Sequence, residues 1–497
     1  MISETMCRLG KHRSVIREIF EYSKKRGAEI GPENVFDFSL GNPNVPAPAS
    51  VKETIRQLLE ERDDIYLHGY TSAQGDAGTR AAIAEDLNRR YGTHFCADNF
   101  YMTCGAAASL KICLTALTVP GDEFLTFAPY FPEYQVFVET AGAGFRAVKT
   151  EDGTFQIDFN RLEAAITEHT KGILVNSPNN PSGVIFPEQA VKELAALLKK
   201  KSETYGHPIY LIADEPYREL AYGKEVPYLT KYYDNTLVCY SYSKSLSLPG
   251  ERIGYILVPD EMEDHEDMYA AVCGAGRALG YVCAPSLFQH VVAACTGQVS
   301  DLSVYRENRE LLYGSLTEYG YQCVYPDGAF YLFVKALEED ANAFCERAKK
   351  YELLLVPGDD FGAPGYVRIA YCVTTDQIRR YLPAFQALAE EYGRKPVDNV
   401  DGLFSALNSG SVLPHGPVHP AEAAGGDAAQ MGRENNPVPA GCRKGDQRIV
   451  RGYRLRRYGV QAGAGDQALD QSGPERVVIH QIPPGGVHQE CASFHMA

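Results

Sequence analysis

The feature that most constrains this chain is a series of short apolar runs, each ending at polar or turn-forming residues. Gly172-Ile-Leu-Val-Asn176, Ile209-Tyr-Leu-Ile-Ala213, Thr236-Leu-Val-Cys-Tyr240 and Ile253–Val258 are too short for buried helices and rich in strand-forming residues. Helix-like stretches separate or precede them. Val51, Ile55, Leu58 and Leu59 fall at helical spacing, as do Ile83, Leu87 and Tyr91. Segment 187–201 opens with Pro187 and closes on three lysines, which suits both poles of a helix dipole. Apolar strands alternating with helices predict an α/β layer with a mainly parallel sheet. After about residue 295 the pattern becomes helix, strands at Ala329–Val334 and Tyr366–Ala370, then a helix over 375–392, as in a smaller α+β domain.

A chain of 497 residues is too long for one simple core, so several domains are expected. The net charge of −16 discourages a nucleic-acid or anionic-membrane partner. Composition changes at Lys395-Pro396. Residues 396–497 hold 15 Gly and 9 Pro, and their basic residues are 8 Arg against 1 Lys, whereas residues 1–395 hold 21 Arg and 18 Lys. The basic, Tyr-bearing stretch Arg451–Arg457 superficially resembles an RNA-binding segment, but so biased a sequence cannot bury a core. A low-complexity, largely disordered tail with no catalytic group is expected there. The 13 cysteines form no C-x-x-C pair, so reduced thiols and no metal site are expected. The N-terminus lacks a signal-peptide profile, and no apolar run approaches the ~18 residues of a membrane span. A cytoplasmic protein is expected.

In open parallel sheets the reactive groups collect at the C-terminal strand ends. Those ends read Asn176-Ser-Pro-Asn-Asn180-Pro-Ser-Gly183, then Asp214-Glu-Pro-Tyr217, then Ser241-Tyr-Ser-Lys244. Singly each has a bland reading: Asn180 as a turn residue, Asp214 as a helix cap, Lys244 as a surface lysine. Together with Ser39-Leu-Gly41-Asn-Pro43, Tyr70 with Gly75, Gly105-Ala-Ala107, Pro129-Tyr-Phe131, Arg252-Ile-Gly254, Pro326-Asp-Gly-Ala-Phe330 and Gly365-Tyr-Val-Arg368, their order is far more specific. Over roughly residues 30–395 the chain resembles the class I/II aminotransferases, the fold-type-I enzymes that depend on pyridoxal 5'-phosphate.

That resemblance implies a large domain (51–294) with a mainly parallel, seven-stranded-type sheet flanked by helices. It also implies a smaller α+β domain built from the N-terminal segment (1–50) and residues 295–395. Lys244 would condense with the cofactor aldehyde and carry the substrate Cα proton. Asp214 would face the pyridine nitrogen, and Tyr217 and Asn180 the ring oxygen. The phosphate would meet Gly105, Ala106 and Ala107 at a helix N-terminus, with Ser241 and Arg252. Tyr70 would reach it from a second subunit, making the active form a homodimer with shared sites. Phe131 takes the place of a ring-stacking Trp, in a chain that has no Trp. Arg368 would grip the substrate α-carboxylate, helped by the Gly41 backbone, although a strand Arg paired with a surface acid is the alternative.

The implied activity is ping-pong transfer of an amino group from an L-amino acid to a 2-oxo acid, with aspartate and 2-oxoglutarate the preferred pair. A second carboxylate would need a second cation, for which Arg277 is the candidate by position. Rival readings are a lyase of the same fold (a C–S lyase or an aminocyclopropane-carboxylate-synthase-like enzyme) and a non-enzymatic regulator. About 30 residues precede the family-like region, too few for the regulator's DNA-binding module.

Overall fold

The computed structural model describes residues 2–11 and 14–395; the expectation for the tail concerns residues outside this range. Thirteen strands follow in chain order: β1 (Phe36–Asp37), β2 (Phe100–Thr103), β3 (Glu123–Ala128), β4 (Gly144–Lys149), β5 (Thr170–Asn176), β6 (Tyr210–Asp214), β7 (Thr236–Ser241), β8 (Gly254–Leu257), β9 (Gln322–Val324), β10 (Tyr331–Lys335), β11 (Leu353–Leu354), β12 (Val356–Pro357) and β13 (Tyr366–Ala370). Seven of them form one sheet in the order β2-β8-β7-β6-β5-β3-β4. Only β8 runs against the rest, pairing antiparallel with β7 and β2. The expected α/β class with its mainly parallel seven-stranded sheet is therefore present.

The apolar runs form strands because both faces of this sheet are covered. Ile173 and Val175 of β5 and Leu211 and Ala213 of β6 pack into a core on one face. Leu174 and Ile212 pack into the core on the other, against helix Ala106–Leu117. Period-2 alternation thus sends successive apolar side chains to opposite cores. The segment that opens at Pro187 is helical over Glu188–Tyr205, four residues past the lysine run, and Gly206 ends it in a left-handed conformation. Position 206 decides that end: glycine adopts the left-handed cap at no steric cost, whereas the lysines are good helix formers.

A four-stranded sheet, β12-β13-β10-β9, carries a third core, in which Phe330, Leu332, Val367 and Ile369 meet the helices Ser303–Glu318 and Thr375–Glu391. β1 pairs in parallel with β11 beside it, so residues before 50 and after 295 share a layer. Strand β10 starts two residues later than the apolar pattern suggests, because Ala329 takes a positive φ of 56° and turns the chain.

Candidate active site

Strand register, parallel for β5-β6-β7 and antiparallel for β7-β8, brings the separated motifs together. Asn176 lies opposite Asp214, Asp214 opposite Cys239, and Ser241 opposite Gly254. The C-terminal edge of β5, β6 and β7 thereby becomes the floor of a cleft of ≈ 280 Å³. Of the residues singled out in the sequence, Gly41, Ala106, Ala107, Phe131, Asn180, Asp214, Tyr217, Ser241, Lys244, Arg252 and Arg368 all line it.

Lys244 sits on a four-residue helix, Tyr242–Ser245, whose N-cap Ser241 accepts a hydrogen bond from the Ser243 amide. Its Nζ donates to the Gly41 carbonyl at 2.7 Å and lies 5.4 Å from the Phe330 ring centre. Burial is the main reason its ammonium is pushed down to about 8, with Arg252 and Arg368 acting in the same direction. At pH 8 such an amine is about half neutral, where an ordinary lysine is only ~0.4 % neutral.

Asp214 is buried, and its Oδ2 accepts from the Tyr134 hydroxyl at 2.5 Å. Its Oδ1 is buried with no hydrogen-bond partner among the described residues. Desolvation pushes the carboxyl up to about 7; Tyr134 pulls it down and Glu215 raises it further. A buried carboxylate oxygen with no donor fits a cationic N–H in the cleft.

Gly105 caps the helix Ala106–Leu117 with φ +90°, and a Cβ there would lie 3.0 Å from Arg252 Nη2. Glycine therefore lets the guanidinium approach the helix N-terminus, where free amides favour an anion. Arg252 itself has φ +52°, a strained conformation for a non-glycine residue that aims its side chain at this spot, and it is steadied by a 3.1 Å bond to the Pro249 carbonyl.

On the far side, Arg368 of β13 is almost fully buried. One Nη donates to Asn180 Oδ1 at 3.0 Å and the other to the Ser39 carbonyl, while Nε has no partner among the described residues. Its guanidinium lies 4.7 Å from the Tyr331 ring centre and 5.0 Å from that of Phe361. Desolvation holds it below the usual arginine value. Among the described residues no acid pairs with it, against the alternative reading of Arg368. Tyr217 and Tyr331 join their hydroxyls at 2.8 Å, and burial pushes the Tyr217 phenol well above its ordinary value. Asn180 is fixed by its own amide, which donates to Asn176 Oδ1 at 2.7 Å.

Two of the singled-out residues lie elsewhere. Tyr70 is 98 % exposed and does not line the cleft of its own chain. Arg277 is outside it too, because helix His265–Ala278 buries Met268, Val272, Ala275 and Gly276 and leaves position 277 on the outer face. Sequence reasoning missed Tyr134 and Tyr331. Tyr134 lies three residues past Phe131, and Tyr331 follows the Pro326–Phe330 motif directly, so both adjoin segments already marked.

The orphaned Asp214 oxygen, the cradle between Gly105 and Arg252, and an amine with a pKa near 8 fit pyridoxal phosphate: acceptor for the ring nitrogen, donors for the phosphate, and a nucleophile for the aldehyde. A family model described as aminotransferase class I and II matches residues 33–385, and the chain belongs to that family. It is a pyridoxal-phosphate-dependent transaminase.

Its relatives include the aspartate/prephenate aminotransferase of Thermus thermophilus, 30 % identical over 364 residues, which span 70 % of this chain and 89 % of the relative. The aspartate aminotransferase of Thermotoga maritima is 28 % identical over 357 residues, or 70 % of this chain and 90 % of that one. A crystal structure of an aminotransferase from Eubacterium rectale is 61 % identical, with a TM-score of 0.78 over 79 % of this chain and all of that one. No described helix is long and apolar enough to cross a membrane.

Proposed function

We propose that this transaminase exchanges an amino group between a dicarboxylic L-amino acid and its 2-oxo acid partner, aspartate and 2-oxoglutarate, in a two-stage ping-pong cycle within a homodimer. The observation that carries this reading is that Lys244, Asp214 and Arg368 line one cleft, the last two each with a buried polar atom left without a partner among the described residues.

Pyridoxal phosphate, when bound, supplies an aldehyde that condenses with amines and a protonated ring that accepts the electron pair left at the substrate Cα. Arg368 holds the α-carboxylate, with Nε and one Nη forming the fork. That fork is held before substrate arrives, because its Nη groups already donate to Asn180 and Ser39 and the Tyr331 and Phe361 rings pack against it. Lys244 Nζ, near neutral charge balance, removes the Cα proton and delivers it elsewhere on the reacting system. Asp214 keeps its charge toward the ring through the Tyr134 bond. Tyr217 and Asn180 are held in place to donate to the ring oxygen.

Among the described residues, the cations lining the cleft are Lys244, Arg252 and Arg368, and positions 106 and 107 present only methyl groups. A distal carboxylate must therefore meet a cation from a second copy, a role we give to Arg277. Support comes from the surface that holds it. Tyr70, Tyr281 and Val282 are exposed apolar residues, and the Cys283 thiol donates to the Thr71 carbonyl at 3.5 Å, so the Tyr70 loop and the segment after Arg277 adjoin. Such a patch suits a partner subunit that inserts both side chains into the opposite cleft. The eleven described cysteines are all free, which supports a reducing, cytoplasmic setting.

A panel of L-amino acids added singly to the loaded enzyme tests the substrate reading, scored by spectral conversion of the cofactor to its amine form. Aspartate and glutamate should convert it at the lowest concentrations, and Arg277→Ala should remove that preference. Conversion by neutral amino acids alone would refute the dicarboxylate reading.

A further inference from the structure

We infer that Gln289 is a positioning residue for the active site of the opposite subunit: it fixes the Tyr70 loop, so that Tyr70 reaches the phosphate of the partner's cofactor. The inference rests on the shared-site reading above. Its basis is the unusual situation of Gln289, a polar side chain with no exposed surface that does not line its own chain's cleft.

Burial of an amide is costly unless each polar group is paired, and here each one is. Gln289 Oε1 accepts from the Asp76 amide at 2.7 Å. Its Nε2 donates to Thr71 Oγ1 at 3.2 Å and to the Ala284 carbonyl at 3.0 Å. Its backbone carbonyl accepts from Thr79 Oγ1 at 3.1 Å. One side chain thus ties both ends of the loop 71–76 to the start of helix Ser286–Cys295.

The loop has little freedom left. Gly75, at φ +102°, leaves no room for a Cβ, which would lie 2.2 Å from Met102 Cγ and 2.9 Å from Gln289 Oε1. The Met102 amide donates to the Gln74 carbonyl at 2.9 Å, and the Gly75 amide to the Ser72 carbonyl at 2.9 Å. At the end of this locked loop stands Tyr70, whose own side chain is 98 % exposed. A rigid mount beneath a fully exposed aromatic side chain does nothing for its own cleft. It is what a residue acting in another subunit requires, since a freely moving Tyr70 would lose its conformational freedom at each binding event.

The test uses mixed dimers purified through two different tags. One chain carries Lys244→Ala, so the only working site has the Lys244 of the unaltered chain and the Tyr70 of the Lys244→Ala chain. Gln289→Leu placed on the Lys244→Ala chain should lower activity at least tenfold; placed on the other chain it should leave activity within twofold. Equal losses in the two placements, or the larger loss in the second, would overturn the inference. Tyr70→Phe in the same two placements separates the two claims: a Tyr70 effect without placement dependence refutes the shared-site reading itself.

Thr71→Val, which deletes only the hydroxyl that Gln289 holds, guards against misfolding of the Leu variant. As a homodimer it should raise the dissociation constant for pyridoxal phosphate about fivefold and speed amide exchange over residues 70–76, with an unchanged thermal midpoint of the cofactor-free form. A dissociation constant within twofold of the unaltered protein would overturn the inference.

Discussion

Replacing Asp214 with Asn should stabilise the cofactor-free protein while destroying its function. Burial lifts the Asp214 carboxyl from 3.8 to about 7, mainly through desolvation, and leaves Oδ1 without a donor. A carboxyl raised in the folded state binds its proton more tightly there than in the unfolded chain, so stability falls as pH rises from about 4 to about 7 and stays low above that. At 1.36 kcal/mol per pH unit the full cost of ionisation is ~4 kcal/mol at pH 8. Asn has the same shape and no charge, and Tyr134 can still donate to its oxygen. One polar atom facing the cleft stays unpaired in both proteins, so that penalty of about 1–3 kcal/mol cancels to first order. Allowing for relaxation around the ionised group, Asp214→Asn should gain about 2–4 kcal/mol at pH 8 and nearly nothing at pH 4.

The measurement is thermal unfolding of both cofactor-free proteins across that range, where the gain at pH 8 corresponds to about 2–5 °C for a chain of this size. Adding pyridoxal phosphate should reverse the order, because the ring nitrogen pairs with the carboxylate and not with the amide, and turnover should fall by at least ~10³. A variant no more stable than the unaltered protein at pH 8, or one whose gain is the same at pH 4 and pH 8, would refute the reasoning.

Arg368→Lys should raise KM for amino and oxo acids about 10²-fold with a smaller change in kcat, since a point charge cannot reproduce a fork worth about 3 kcal/mol; unchanged KM values would move the carboxylate site elsewhere. Gly41→Ala should cost about 1–3 kcal/mol and weaken substrate binding, because its Cβ would fall 1.9 Å from the Tyr331 hydroxyl; normal stability in denaturant titration together with a normal KM would count against that packing.

The strand ends were legible from sequence because the signals are local. A short apolar run bounded by Asn, Asp or Ser declares a strand and its end, and parallel pairing then sets Asn176 beside Asp214 with no further information. The cradle at Gly105 was legible for the same reason, since a glycine before an apolar helical run marks a helix start. Tyr134 and Tyr331 were not legible. Nothing within a few residues of either says that its hydroxyl will meet Asp214 or Tyr217, 80 and 114 positions away.

The sequence by itself determined the α/β class, the order of the strand-end motifs and the residue types that meet a pyridoxal cofactor. The class and the motif order follow from backbone periodicity; the cofactor residues follow from the resemblance to class I/II aminotransferases that the ordered motifs carry. Only the tertiary structure decided which groups share a cleft and with what electrostatics. Lys244 meets the Gly41 carbonyl across 203 positions, and Arg368 meets Asn180 across 188. Tyr70 and Arg277 are exposed and do not line their own chain's cleft. The reason is physical: a pKa near 8 or near 7 is set by water removed and by donors left unpaired, and both are properties of the packed chain.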